Sequence, residues 1–431
     1  MIKDNKKIIN AWAFYDWANS VYPLVITAAI FPIFYENITQ SVLGGRNVNL
    51  FGINFINTEL YDYTIALSFL LVAAFSPLLS GIADYTGNKK KFLKFFCYLG
   101  SAAAASLFFF DPNHIFWGLL SILFASLGFW SSLVFYNAYL PEIASVEKQD
   151  KVSAKGFSLG YLGSALLLIF SLILIQKFES FGFESKGQAT RTVFVLVGVW
   201  WTAFAQITYR RLPNNVHQRK REKNWLFKGY QELKSVALQL KGNKQIRRYL
   251  YSFFAYSMGV QTVMLVAVLF AKNEIENLPD ESLIISVLLI QFIGIIGASG
   301  FAFLSKKLGN LKALMIAILF WVIICCSTYL WVFTATHFYF VAAAVGLVMG
   351  GIQALSRSTY AKMLPKTKDH ASFFSFYDVT EKVAIVIGMF SFGFIEGITG
   401  SMRNSILALI VFFILGFILL LWVPKTNKIT R

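Results

Sequence analysis

The run Ser405-Ile406-Leu407-Ala408-Leu409-Ile410-Val411-Phe412-Phe413-Ile414-Leu415 carries no charge and no proline, and it stays apolar to about residue 423. A helix needs roughly 20 mostly apolar residues to cross a bilayer. Working back from this run, twelve segments meet that condition, near residues 10–35, 60–83, 92–110, 114–139, 156–176, 191–209, 248–271, 282–304, 312–333, 337–360, 372–396 and 404–423. The expected fold is therefore an all-α polytopic membrane protein. Composition agrees. Of 431 residues, 57% are apolar or aromatic and 14% are charged. A soluble domain carries about 25% charged residues. So much apolar surface cannot be hidden in one core of this size, and lipid is its natural solvent.

The formal charge of +17 would suit a nucleic-acid binder, but its placement does not. The basic residues sit in short connections between apolar runs. The connections on the side of the two termini hold 32 Lys and Arg, whereas the opposite side holds 6. This asymmetry places both termini and the central loop in the cytoplasm of a cell with a multi-pass inner membrane. It points to no nucleic-acid partner. Cys97, Cys325 and Cys326 all lie in apolar runs, so they give neither a disulfide framework nor a metal-ligand spacing. His114, His217, His337 and His370 are scattered, with no pair spaced as ligands on one helix face. No cofactor and no metal are expected.

The long central loop divides the chain into a six-span unit (1–210), a linker (211–247) and a second six-span unit (248–431). In the linker, Leu226, Tyr230, Leu233, Val236 and Leu240 recur at steps of three or four, with Lys223, Lys228, Lys234 and Lys241 around them. That pattern predicts an amphipathic helix on the inner leaflet, the alternative being a solvated linker helix without lipid contact.

An ionisable group at mid-bilayer costs about 2.5–3.5 kcal/mol on the insertion scale, so it is turned inward or paired. Spans three, six, nine and twelve have none in their middles and can face lipid all round. Spans one, seven, ten and eleven differ. Span one carries Trp12, Asp16, Asn19 and Tyr22 at steps of four, three and three, with Pro23 beyond. Span seven carries Tyr251, Ser252, Tyr256, Gln261 and Thr262. Span ten carries Gly350-Gly351-Ile352-Gln353-Ala354-Leu355-Ser356-Arg357, and span eleven carries Tyr377, Asp378, Glu381 and Lys382. Depth along the helices, at about 1.5 Å per residue, puts Asp16, Arg357 and Asp378 near the cytoplasmic ends. Tyr22, Gln261, Glu381 and Lys382 fall nearer the midplane. For each group there is a plainer role: Asp378 and Lys382 form an i, i+4 pair, and Gly350-Gly351 permits close helix packing. The convergence of costly groups on so few spans favours a site. The candidate cavity residues are Tyr15, Asp16, Asn19, Tyr22, Gln261, Gln353, Glu381 and Lys382; the candidate gating residues are Asp84, Arg357 and Asp378.

After span two comes Gly81-Ile82-Ala83-Asp84-Tyr85-Thr86-Gly87-Asn88-Lys89-Lys90-Lys91. This resembles the loop motif of the major facilitator superfamily, and Gly309-Asn310-Leu311-Lys312 is a degenerate echo after span eight. Trp12-Ala13-Phe14-Tyr15-Asp16-Trp17-Ala18-Asn19-Ser20, the run from Gly350 to Ser358, and Phe373-Phe374-Ser375-Phe376-Tyr377 with Lys382 are similar to signatures of its vacuole-effluxer branch. That branch includes a fungal vacuolar amino-acid exporter and bacterial members of unsettled substrate. The resemblance implies two six-helix bundles with a site between them, lined by helices one, four, seven and ten. It assigns the loop-motif acid to Asp84, where a carboxylate could latch onto a neighbouring helix N-terminus or an Arg. One departure stands out. The branch often has an acid before the glycine in span seven, whereas here Met258 precedes Gly259.

The expected function is a secondary carrier for an amino acid or related small metabolite, with efflux favoured and alternating access as its mechanism. No G-x-x-x-x-G-K-[ST] loop occurs, which speaks against ATP hydrolysis. Proton coupling could run through Asp16, Asp378 or Glu381. The competing readings are a lipid-modifying membrane protein and a non-transporting sensor. The first lacks a nucleophile with a base or a metal cluster. A monomer is expected.

Overall fold

The computed structural model describes residues 3–43, 47–50, 52–214, 225–276 and 278–424. Among them are twelve helices long and apolar enough to cross a membrane: Lys6–Gln40, Glu59–Thr86, Lys89–Phe109, Ile115–Ile143, Gln149–Gln176, Lys186–Arg211, Lys244–Glu274, Ser282–Leu308, Asn310–Trp331, Ala335–Met363, His370–Thr399 and Met402–Leu421. They are spans one to twelve below. The face carrying the start of span one and the end of span twelve is called the terminal face, and its opposite the distal face.

Neighbour relations repeat with an offset of six. Span one packs on five and six, three on four and six, and two on four. In the same way seven packs on eleven and twelve, nine on ten and twelve, and eight on ten. The result is two six-helix bundles of like architecture. They meet mainly where span two touches eleven and span five touches eight and ten.

The third and sixth spans of each bundle each bury one stripe. In span twelve Met402, Ile406, Leu409, Phe413, Gly416 and Leu420, stepping by three or four, are buried together with Ser405, while Leu407, Val411 and Leu415 stay exposed. The expectation that such spans face lipid all round is therefore corrected. Uniform apolarity conceals which stripe is used, because lipid and protein interior are alike to a Leu.

Four local features complete the fold around the site. Asn5 starts span one, its side chain accepting from the N–H groups of Lys7 and Ile8. Around Pro23 the helix widens to a π-helical stretch, Tyr22–Ile30, after which the Phe31 N–H reaches back to the Ile26 carbonyl. Such widening commonly marks functional positions. Between spans one and two a short antiparallel hairpin pairs Asn47–Leu50 with Ile53–Ile56, an addition to the all-α expectation. Gly350 and Gly351 pack tightly on span eight at Gly294 and Phe301.

The linker helix runs Trp225–Gly242. It packs along span two, where Gly229 lies against Gly81 and Ile82, and Val236 and Leu240 are buried. Lys223 lies outside the described residues, as do the side chains of Leu226 and Lys228.

Candidate functional site

Arg357, in the tenth span, is 3% exposed. Its guanidinium reaches across into the first bundle. Nη1 and Nη2 each donate to Asp16 Oδ2 at 3.3 Å, Nε donates to Ser153 Oγ at 2.9 Å, and Nη2 donates to the Ser153 carbonyl at 2.8 Å. Nη1 also donates to Asn137 Oδ1 at 3.3 Å. The cation lies over Phe157 at 4.2 Å, Trp12 at 4.9 Å and Tyr136 at 5.4 Å. Tyr136 donates its hydroxyl to Asp16 Oδ2 at 2.8 Å. One cation of the second bundle thus sits in an aromatic and polar socket built by spans one, four and five. Planarity lets a guanidinium stack and fork at once, which a lysine ammonium cannot do. The glycine at 156 makes the room: a Cβ there would collide with Asp16 Oδ2 and lie 3.0 Å from Arg357 Nη2.

Two latches lie nearer the terminal face. In the first, Asp84 at the end of span two accepts from the first turn of span eleven: the Ser372 N–H at 2.7 Å, its hydroxyl at 2.8 Å and the Ala371 N–H at 3.3 Å. Free N–H groups at a helix start favour a carboxylate. Lys89 lies 3.6 Å from Asp84 and also bonds Glu142, which in turn meets His370 Nδ1 at 3.0 Å. In the second, Asp150 at the start of span five takes Lys362 at 2.6 Å, Ser305 at 2.7 Å and Asn310 at 2.8 Å. Asn310 belongs to the degenerate loop echo, so that segment meets its acid on the facing bundle.

Above Arg357, toward the distal side, a partly open cavity of about 260 Å3 lies between the bundles. It extends along span one to Ala28 and along span seven to Val268. Its polar lining includes Asp16, Asn19, Tyr161, Gln261, Gln353 and Glu381, and much of the remainder is apolar, such as Leu24, Phe129, Met264 and Met349. Gln261 donates to Glu381 Oε1 at 2.8 Å, and Tyr161 donates to Gln353 Oε1 at 2.6 Å. Spans one, four, seven and ten contribute, joined by five, eight and eleven.

The structure gathers Asp16, Asn19, Gln261, Gln353, Glu381 and Arg357 around this one space. It does not bring Tyr15, Tyr22 or Lys382 to it. Tyr22 packs on Phe129 and Trp201, and Tyr15 on Tyr136 and Tyr209, inside the first bundle. The geometry explains both corrections. At about 100° per residue, Tyr22 lies some 120° around the helix from Asp16, and Tyr15 lies a quarter-turn away. Lys382 is 1% exposed. It is held by Asp378 at 3.2 Å and Glu381 at 3.1 Å, with Trp130 of span four 3.4 Å beneath its ammonium. Arg357 and Lys89 are equally enclosed. Met258 packs with Ala255 and Ala384, away from the cavity. Ser153, Asn137, Asp150, Lys362 and Trp130 were missed. Each is an unremarkable residue on its own helix, and its charged partner stands on the facing bundle.

The fold and the inter-bundle cavity define a major facilitator transporter, a membrane protein for a small-molecule solute and not an enzyme. The crystal structure of FucP in the outward conformation superposes with a TM-score of 0.67 at 14% identity, covering 97% of this chain and 99% of that one. The human organic anion transporter MFSD10 gives 0.72 at 11% identity, covering 97% and 100%. The chain belongs to the family described as vacuole effluxer Atg22 like, whose model matches residues 4–430. An uncharacterized MFS-type transporter, YxiO of Bacillus subtilis, is 31% identical over 99% of this chain and 97% of its own length. Autophagy-related protein 22-1 of Phaeosphaeria nodorum is 24% identical, over 97% and 90%.

Asp84→Asn tests the first latch. The amide keeps the shape but removes the charge facing the span-eleven N–H groups and Lys89. A charge-assisted hydrogen bond is roughly twice as strong as a neutral one. Folded protein is expected to fall by less than about twofold, because one capping interaction is a small part of the total. Solute flux should fall roughly tenfold, which is the weight of 1.4 kcal/mol. Wild-type flux at equal membrane abundance would remove the latch role.

Proposed function

We propose that this protein is a secondary transporter that moves an amino acid or a related small metabolite, in the direction of efflux, by alternating access. The observation that carries the reading is the space between the bundles, closed toward the terminal face by Arg357 in its socket. A volume of about 260 Å3 is just below the range of roughly 300–1,000 Å3 found for sites of drug-sized ligands, so it suits a compact solute. The Glu381 carboxylate on one wall can meet an ammonium group. The apolar lining from spans one, four, seven and ten can take an aliphatic or aromatic side chain. Efflux rests on the family's description. Coupling to protons through Asp16, Asp378 or Glu381 is part of the same proposal, as is action by a single chain.

Opening the terminal face would mean parting Asp16 from Arg357, Asp84 from span eleven and Asp150 from Lys362, while the distal halves close over the solute. The conformation described here is one end of that cycle. A thermal-shift screen of the purified protein against amino acids, sugars and nucleosides tests the substrate class. A ligand at 100 times its Kd stabilises the folded state by about 2.7 kcal/mol. Stabilisation by sugars or nucleosides alone would overturn the amino-acid reading. Absence of solute exchange in proteoliposomes would overturn transport by this chain.

The orientation follows from the basic asymmetry of 32 to 6 and places the terminal face in the cytoplasm. A reporter active only in the cytoplasm, fused after Arg431, is expected to be active. A well-expressed but inactive fusion would invert the topology, and with it the assigned direction of the closed gate.

A further inference from the structure

The linker helix has three faces. One is buried, with Gly229 against Gly81 and Ile82 of span two and Val236 and Leu240 also enclosed. At about 100° per residue, Tyr230, Phe227 and Leu238 follow on one flank, and Lys234 and Lys241 fall among them. Tyr230, Phe227 and Leu238 are 54%, 60% and 62% exposed. By the same count the other flank carries Gln231, Ser235 and Gln239 with the oppositely charged Lys228 and Glu232, and no large apolar side chain. A helix that merely linked two bundles through water would have no use for the first flank. Its contact point fixes its level. Gly81 lies five residues before the end of span two at Thr86, or about 7–8 Å along the axis. Interfacial helices lie about 5–10 Å into the headgroup and acyl boundary.

We propose that the linker helix is a docking surface for anionic lipid, with Phe227, Tyr230 and Leu238 in the acyl boundary and Lys234 and Lys241 on headgroup phosphates. Charge selects the occupant. Both lysines stand within the apolar flank, where their stems can lie along lipid while the ammonium groups rise to phosphate. A cytoplasmic leaflet rich in anionic lipid attracts such basic segments. The Gly81–Gly229 contact then ties this lipid layer to the span that ends in Asp84.

The test uses the full-length protein in nanodiscs, in a background with Cys97, Cys325 and Cys326 changed to Ala. A fluorophore is placed on Leu238→Cys or on Ser235→Cys. Nanodiscs of phosphatidylcholine alone are compared with others containing about a quarter phosphatidylglycerol. A lipid-borne nitroxide is expected to quench the Leu238 probe roughly threefold more than the Ser235 probe, and aqueous acrylamide to do the reverse. Nitroxide quenching at Leu238 should fall by about half without phosphatidylglycerol, and likewise in Lys234→Gln/Lys241→Gln. Equal access of acrylamide to both probes would overturn lipid docking. Quenching indifferent to both phosphatidylglycerol and the lysines would overturn headgroup recognition. Neither readout depends on which solute is carried.

Discussion

Arg357→Gln is expected to abolish net transport, to below about 1% of wild type, while the protein still inserts in the membrane. The substitution removes five hydrogen bonds and the cation from between three rings, and leaves Asp16 enclosed without a counter-charge. Breaking a buried pair by removing one partner costs about 3–5 kcal/mol. Charged against the closed terminal face alone, that is a population change of roughly a hundredfold or more. The cycle would then stall with that face open. A thiol at Ala154, buried against Ala298 and Ala354 between the bundles, reports the change. An impermeant maleimide applied from the terminal face should leave Ala154→Cys unlabelled in the parent and label it in the Arg357→Gln background. Arg357→Lys should be intermediate, since an ammonium keeps the charge but not the planar fork. Normal flux together with unchanged labelling would remove Arg357 from the gate.

Lys382→Met is expected to cut folded protein severely. The ammonium serves Asp378 and Glu381 together and rests on Trp130, at mid-depth in the membrane. Removing it strands two carboxylates where an unpaired charge costs several kcal/mol. A whole domain is stable by only about 5–15 kcal/mol. Neutralising the partner as well, in Asp378→Asn/Lys382→Met, removes much of that penalty, and Glu381 keeps its bond from Gln261. Abundance should return to within about twofold of wild type, as compensating changes in contacting residues do. Flux should remain low, because Glu381 faces the cavity and works beside the missing cation. If the double variant transports normally, the charges on span eleven only hold the helix in place, and the site lies elsewhere.

The fold was legible because crossing a bilayer demands length and apolarity together, and twelve segments meet both. The polar groups of spans one, seven, ten and eleven were legible for the same reason: a costly group needs a purpose or a partner. Which partner was not legible. Asp16 and Arg357 are 341 residues apart in sequence, and no periodicity on one helix can announce a neighbour on another. Asp150 and Lys362 looked like ordinary ends of spans. Tyr22 was assigned to the Asp16 face because steps of three accumulate unnoticed rotation, until the residue has turned into its own bundle. The short hairpin at Asn47–Ile56 sits in a connection where hydropathy has nothing to decide. Asn310 was visible only as a weakened echo, since the acid that completes it stands across the interface.

That division of charge has a consequence for assembly. In the two ion pairs that cross the interface, the acids Asp16 and Asp150 belong to the first half of the chain and the cations Arg357 and Lys362 to the second. Two first halves brought face to face would oppose acid with acid, and two second halves cation with cation. Like-charge juxtaposition of this kind suppresses wrong partners. Although the two bundles share one architecture, they have become complementary and no longer interchangeable, as plug and receptacle. The molecule is in effect an obligate heterodimer written as one polypeptide, and the joining segment fixes the ratio of the halves rather than the choice of mate.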